Sequence, residues 1–120
     1  MVQFGTDESM RTIPNLILIE PLGYLEFLSL MSTASLLITD SGGIQEETTF
    51  LKIPCLTLRE NTERPITIEV GTNRLCGGNL DLLVSKGLEA VDGKSKGGAV
   101  PQLWDGKASE RIAEILASEI

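Results

Sequence analysis

Four short apolar runs mark the first two thirds of this chain, and none of them alternates with polar residues. A strand that is buried on both faces reads this way, and such strands are typical of a parallel sheet covered by helices. The sequence therefore predicts an α/β fold, a three-layer Rossmann-like domain with a mostly parallel sheet of about four strands. The predicted strands are Leu16–Ile19, Leu36–Thr39, Cys55–Leu58 and Arg74–Cys76.

Segments with helical periodicity separate these runs, as right-handed crossovers between parallel strands require. Proline suits the first turn of a helix and glycine suits its end, which bounds the third of these segments. The predicted helices cover Tyr24–Met31, Ile44–Leu51 and Pro65–Gly71.

Composition divides the chain into four parts. They are an N-terminal lead-in over residues 1–14, a Rossmann-like core over 15–91, a Gly-, Lys- and Pro-rich irregular connection over 92–106, and a C-terminal helix over 107–120. The last helix has an apolar stripe from Ala108 to Leu116 that must dock on another surface. Because four strands make a thin sheet, we expect either a homodimer or a second chain that supplies the rest of the fold.

The acidic balance of the chain limits its partners. The chain has ten Lys and Arg residues and 17 Asp and Glu residues, which gives a net charge of −7. Phosphate-backbone binding rests on a positive surface, so we expect no nucleic-acid partner. No apolar run approaches the ~20 residues of a membrane span, and residues 1–15 lack a secretory signal pattern, so we expect no membrane partner. With no histidine and no metal-type cysteine spacing, no metal or cofactor is predicted.

Cys55 and Cys76 both fall inside apolar runs. Cysteines in such runs behave as small buried apolar residues more often than as disulfides or metal ligands. We therefore expect two reduced, buried thiols in a cytoplasmic protein.

The stretch "LLITDSGGIQEE" (residues 36–47) joins the second predicted strand to a helix. In a parallel sheet, ligands bind beyond the carboxyl ends of the strands, where unpaired helical N–H groups can hold an anion. Gly42 and Gly43 have no side chain to block a phosphate, and Ser41 adds a hydroxyl. Glu47 lies about 9 Å further along the helix, within reach of the ribose of a nucleoside diphosphate. An ordinary tight turn followed by a solvated pair of glutamates fits the same letters.

The motifs "TDSGGIQEE", "TERP" and "EVGTNRL" together resemble the C-terminal domain of the non-hydrolysing UDP-N-acetylglucosamine 2-epimerases, from about Asn15 to Leu116. That family is similar to GT-B glycosyltransferases, whose active site lies between two Rossmann-like halves. The resemblance implies that Ser41, Gly42 and Gly43 bind the diphosphate of UDP. It also implies roles for single residues at the ribose, the uracil pocket and the substrate, namely Glu47, Phe27 and Arg64.

The reaction implied by the resemblance interconverts UDP-GlcNAc and UDP-ManNAc by eliminating and re-adding UDP. The family's N-terminal domain, which has the acidic catalytic residues, is not represented here, so no catalytic residue is assigned and the chain alone is expected to be inactive. The family implies a role in cell-surface polysaccharide precursors. Two alternatives stay open: half of a GT-B UDP-sugar glycosyltransferase, and a non-catalytic oligomeric fragment without useful ligand affinity.

Overall fold

The computed structural model describes Met10 and residues 12–119, and it forms two compact units that divide between Leu30 and Met31. The predicted lead-in over residues 1–14 falls largely outside the described residues, as does the last residue of the predicted C-terminal helix. In chain order, the elements are α1 (Tyr24–Ser32), β1 (Leu37–Thr39), α2 (Gly42–Leu51), β2 (Cys55–Thr57), α3 (Ile66–Glu69), β3 (Asn73–Leu75), α4 (Leu80–Val91) and α5 (Ala108–Glu119).

The second unit is built on a parallel sheet of three strands within the described residues, in the order β1-β2-β3. Thr39 pairs with Thr57, and Thr57 pairs with Leu75. The carboxyl ends of all three strands therefore lie level at one edge. The loops that follow β1, β2 and β3 begin at this edge, where α/β proteins place their ligands.

Helices lie on both faces of this sheet. The Thr57 hydroxyl donates a hydrogen bond of 2.5 Å to Asn73 Oδ1, and the Asn73 amide in turn donates to Gln45 of α2 at 2.9 Å. Leu56 points to the opposite face, because neighbouring strand residues alternate. There it lies against Gly87 of α4, where a methyl group built on Gly87 would be 3.9 Å from Leu56 Cδ1. The predicted three-layer α/β fold is confirmed.

The predicted count of four strands is too high, because Leu16–Ile19 do not form a strand. Among the described residues, the hydrogen-bonded ladder contains only β1, β2 and β3, and Ile17 is 81% exposed. A strand needs a neighbour to satisfy its backbone groups, and an apolar run shows nothing about whether one is available. Pro14 and Pro21, which lack backbone N–H groups, further limit pairing on either side of the run.

The first unit ends in α1, whose beginning is fixed by a local hydrogen bond. The Gly23 N–H donates to the Glu26 carboxylate at 2.8 Å, which satisfies one of the N–H groups that a helix start leaves without a partner. Over residues 10 and 12–119, none of the helices is both long and apolar enough to cross a bilayer.

Both cysteines belong to the interior of the second unit. Cys55 is 1% exposed and Cys76 is 4% exposed, and both are free thiols. Burial raises the pKa of each thiol above its ordinary value, since a thiolate is poorly solvated there. The expectation of buried, unpaired thiols is confirmed.

Candidate functional site

The turn after β1 leads directly into α2. Ser41 is the N-cap residue, with extended backbone angles (φ −81°, ψ 135°), and its N–H donates to Thr39 Oγ1 at 3.0 Å. Among the described residues, the Ser41 hydroxyl makes no cap hydrogen bond to the helix. The first N–H groups of α2, which begins at Gly42, have no partner within the helix. The turn therefore presents donors and the positive end of the helix dipole.

Two arginines from the loop after β2 lie at this helix start. A methyl group built on Gly42 would be 3.3 Å from Arg64 Nη1 and 3.5 Å from Arg59 Nη1. Both guanidinium groups thus reach the first residue of α2, although their chain positions are separated from it by a strand. Planar guanidinium groups bind phosphate with paired hydrogen bonds.

Two glutamates hold these arginines. Arg64 Nε donates to the Glu46 carboxylate, and this hydrogen bond raises the pKa of Arg64. Glu63 lies between the arginines, with Oε1 3.0 Å from Arg59 Nη2 and Oε2 3.5 Å from Arg64 Nη1. A hydrogen bond from its own backbone N–H, followed by the Arg59 hydrogen bond, lowers the pKa of the Glu63 carboxyl. Its side chain is 62% exposed, so it is the member of the group most free to move.

Gly43 and Glu47 share the next face of α2, because residues four apart lie one above the other on a helix. No described atom lies within 4 Å of a methyl group built on Gly43. Glu47 is half-buried in the second turn, on the same side as this open position. The face can accept a ligand that begins at the turn and continues toward Glu47.

Phe27 lies in the other compact unit, on α1. It is half-buried and lines an apolar hollow of about 260 Å³ together with Leu22 and Leu30. The hollow is apolar, and it is smaller than the roughly 300–1,000 Å³ of most ligand pockets.

The structure brings Ser41, Gly42 and Arg64 together, and it places Gly43 and Glu47 on the same helix start. Phe27 belongs to the other compact unit. Sequence reasoning did not place Arg59, Glu63 or Glu46 among the site residues, although they surround Gly42 and Arg64. Their positions in the chain could have identified them. Arg59 and Glu63 follow a strand that ends level with β1, and Glu46 lies one helical turn beyond Gly42.

An open hollow of about 560 Å³ adjoins Arg59 at the carboxyl end of β3. Gly77 and Gly78 are among the residues that line it, and Gly77 takes a left-handed conformation (φ +54°) that favours glycine. A hollow of this volume is within the range of small-molecule sites. The open surface at the carboxyl ends of the strands therefore extends from the turn after β1 to the turn after β3.

Comparisons with known proteins agree on one family. A family model described as UDP-N-acetylglucosamine 2-epimerase matches residues 4–117. The UDP-N-acetylglucosamine 2-epimerase of Methanocaldococcus jannaschii is 46% identical over 114 residues, which cover 95% of this chain and 31% of that relative.

Solved structures give the same result. The M. jannaschii UDP-GlcNAc 2-epimerase in complex with UDP-GlcNAc and UDP superposes with a TM-score of 0.71 and 43% identity, over 92% of this chain and 30% of that one. The Neisseria meningitidis UDP-GlcNAc 2-epimerase bound to UDP-GlcNAc gives a TM-score of 0.73 and 32% identity, over 92% and 32% of the two chains. This chain, which spans about a third of the length of these relatives, belongs to the UDP-N-acetylglucosamine 2-epimerase family.

Proposed function

We propose that this chain is the UDP-binding part of a UDP-N-acetylglucosamine 2-epimerase and that it binds UDP or a UDP-N-acetylhexosamine at the start of α2. The diphosphate binds the N–H groups at Ser41, Gly42 and Gly43, and the Arg64 guanidinium lies beside it. Glu47 accepts hydrogen bonds from the ribose hydroxyls. Phe27 contributes to the uracil pocket.

One observation supports this proposal more than any other. Two guanidinium groups lie within 3.5 Å of the Cβ position of Gly42, in a chain whose net charge is −7. Cations gathered at a helix start, where the dipole is already positive, favour an anionic ligand. The Glu63 carboxylate lies 3.6 Å from the same Cβ position, so a diphosphate there must compete with it for the two arginines.

The glutamates around the arginines fit this role. Glu63 bridges Arg59 and Arg64 while its side chain stays largely exposed, so a diphosphate can replace it as their partner. Glu46 contacts Arg64 from the opposite side and keeps the guanidinium oriented after that exchange. The acidic surroundings then weaken binding to this chain without preventing it.

The relatives support the nature of the ligand, since the M. jannaschii structure contains UDP-GlcNAc and UDP. Within a complete epimerase, this segment would hold UDP while it leaves the sugar and while it returns. Family membership ranks this function above a glycosyltransferase half. A cytoplasmic location suits the two reduced thiols.

The ribose contact gives the sharpest test. Titration calorimetry should show weak binding of UDP to the wild-type chain and about tenfold weaker binding of 2′-deoxy-UDP, because one charge-assisted hydrogen bond is lost. The Glu47→Ala variant should bind both ligands equally, and more weakly than the wild-type chain binds the deoxy compound, because it also loses the contact with the 3′-hydroxyl.

Uridine is the matched control ligand, because it keeps the ribose and base and lacks the diphosphate. It should bind far more weakly than UDP to the wild-type chain. A wild-type chain that gives no heat with UDP, and no amide shift changes at Gly42 and Gly43, would instead support the non-catalytic fragment.

A second part of the proposal concerns partners. Among the twelve residues of α5, all of them described, no side chain is buried. Ile112, Ile115 and Leu116 are 57%, 61% and 58% exposed on one side of this helix. An apolar stripe of this kind lowers its free energy by packing against another surface. We propose that a second copy of the chain, or a chain that supplies the N-terminal half, covers it.

Substitution of the stripe tests self-association. We expect the wild-type chain to sediment as a dimer at tens of micromolar, and an Ile112→Glu/Leu116→Glu variant to sediment as a monomer, because charges are costly to bury without partners. Ala117→Glu, on the opposite side of α5, adds a similar charge and should leave the dimer intact. A wild-type chain that is monomeric at this concentration leaves the separate N-terminal half as the partner.

A further inference from the structure

A pair of fully buried side-chain amides lies beneath the start of α2. Gln45 of α2 and Asn73 of β3 are both 0% exposed, and we call them the amide pair. They are joined by a hydrogen bond of 2.9 Å from Asn73 Nδ2 to Gln45 Oε1. Burying an amide costs free energy unless its hydrogen bonds are satisfied. Apolar side chains would fill this space without that cost.

The amide pair holds the backbone of Arg64 from both sides. On one side, the Arg64 N–H donates to Thr62 Oγ1 at 3.0 Å, and the Thr62 hydroxyl donates to Gln45 Oε1 at 2.6 Å. On the other side, the Arg64 carbonyl accepts from Thr67 Oγ1 at 2.8 Å, and Thr67 Oγ1 accepts from Asn73 Nδ2 at 3.1 Å. Two threonines therefore link one arginine to one buried pair.

The same pair also contacts the glycine turn. Gln45 Nε2 donates to the Ser41 carbonyl at 3.2 Å, at the residue that precedes Gly42. Asn73 is held in turn by β2, because its Oδ1 accepts a hydrogen bond from the Thr57 hydroxyl at 2.5 Å. A single amide side chain thus joins the turn after β1 to the loop after β2. The sheet anchors both through Asn73.

We propose that Gln45 and Asn73 are positioning residues that set the distance between the Arg64 guanidinium and the N–H groups at the start of α2. The inference rests on the proposed UDP site and deepens it, since it identifies which residues align the Arg64 guanidinium with the N–H groups that bind the diphosphate. Pre-aligned groups bind an anion without first losing the freedom of a mobile loop. Glu46 orients the guanidinium itself, whereas the amide pair holds the backbone from which it extends.

The test compares isosteric variants of the network with a matched control. Gln45→Met and Thr62→Val remove the link to Arg64, and Thr62 is only half-buried, so the second variant keeps the core intact if the first does not fold. Thr62→Ser keeps the hydroxyl and should restore wild-type behaviour. Thr49→Val is the control, because Thr49 is equally buried in α2 and its Oγ1 has no hydrogen-bond partner among the described residues.

Two measurements separate positioning from stability. In the ligand-free chain, Gln45→Met and Thr62→Val should speed hydrogen exchange at the Arg64 Nε–H by about tenfold, followed by ¹H–¹⁵N NMR, because the loop has lost a hydrogen bond. With ligand, they should weaken UDP binding about tenfold and leave uridine binding unchanged. Thr49→Val should change neither.

The outcomes distinguish this inference from the proposed function. A wild-type chain that does not bind UDP overturns the proposed function, and exchange at Arg64 Nε–H then decides the positioning role by itself. If wild type binds UDP and the network variants bind it as well as Thr49→Val does, the inference is wrong and the proposed function stands. Unchanged exchange at Arg64 Nε–H in both network variants also overturns the inference.

Discussion

Replacing Gly43 with alanine should weaken UDP binding by more than tenfold while it slightly raises the free energy of unfolding. Apart from its chain neighbours and the backbone of α2, the added methyl group meets no described atom within 4 Å. Gly43 lies in the first turn of α2, where alanine is favoured over glycine by at most about 0.5–1 kcal/mol. The same methyl group occupies the space through which a phosphate oxygen must approach the backbone N–H groups. Titration calorimetry and urea unfolding measure the two effects separately.

A matched control for this variant is Ser85→Ala in α4. Ser85 is exposed in a helix, so alanine there adds a similar small stabilisation far along the chain from the turn. Its UDP affinity should equal that of the wild type. If Gly43→Ala binds UDP as tightly as Ser85→Ala does, then the diphosphate does not lie over Gly43, and the proposed binding site at the start of α2 is wrong.

The sequence predicted the strands of the sheet well because their pattern is local. The three predicted strands from residue 36 onward correspond to β1, β2 and β3, with bounds shifted by one residue at most. Leu16–Ile19 has an equally apolar pattern and forms no strand, since pairing depends on a neighbour. Helix α4 was not predicted, because apolar residues lie on both its exposed and its less exposed sides, so no single apolar face marks it. The exposed ones are Leu80, Val84, Leu88 and Val91.

The site residues also differ in whether local sequence or tertiary packing determines their positions. The glycine turn could be read from the chain, because a strand followed by Ser41-Gly42-Gly43 specifies its own geometry. The arrangement of Arg59 and Arg64 at Gly42 depends on how two loops meet. The amide pair had one unused signal, since asparagine is disfavoured in strands and yet Asn73 begins β3. Whether Phe27, Glu47 and Arg64 contact UDP stays a prediction.

Gly71→Ala, in the turn between α3 and β3, should cause a large loss of stability. A methyl group at Gly71 would overlap the side chain of Thr49 and lie 2.7 Å from the Thr67 carbonyl oxygen. A backbone oxygen of a helix cannot move aside as a side chain can. Overpacking of this kind costs about 1–3 kcal/mol, a large part of the stability of a small domain. We expect the upper end of that range, measured by urea unfolding.

A double-mutant cycle shows whether the overlap is the cause. Thr49→Ala removes both atoms that the new methyl group meets. The Thr49 hydroxyl lacks a partner among the described residues, so the cost of this variant alone comes from the buried Cγ2 methyl group and should be about 1 kcal/mol. Gly71→Ala combined with Thr49→Ala should recover part of the lost stability, and the Thr67 carbonyl accounts for the remainder. Gly78→Ala, whose methyl group meets no described atom within 4 Å, should unfold like the wild type. If Gly71→Ala is no less stable than Gly78→Ala, then Gly71 is not packed closely against Thr49 and the Thr67 carbonyl.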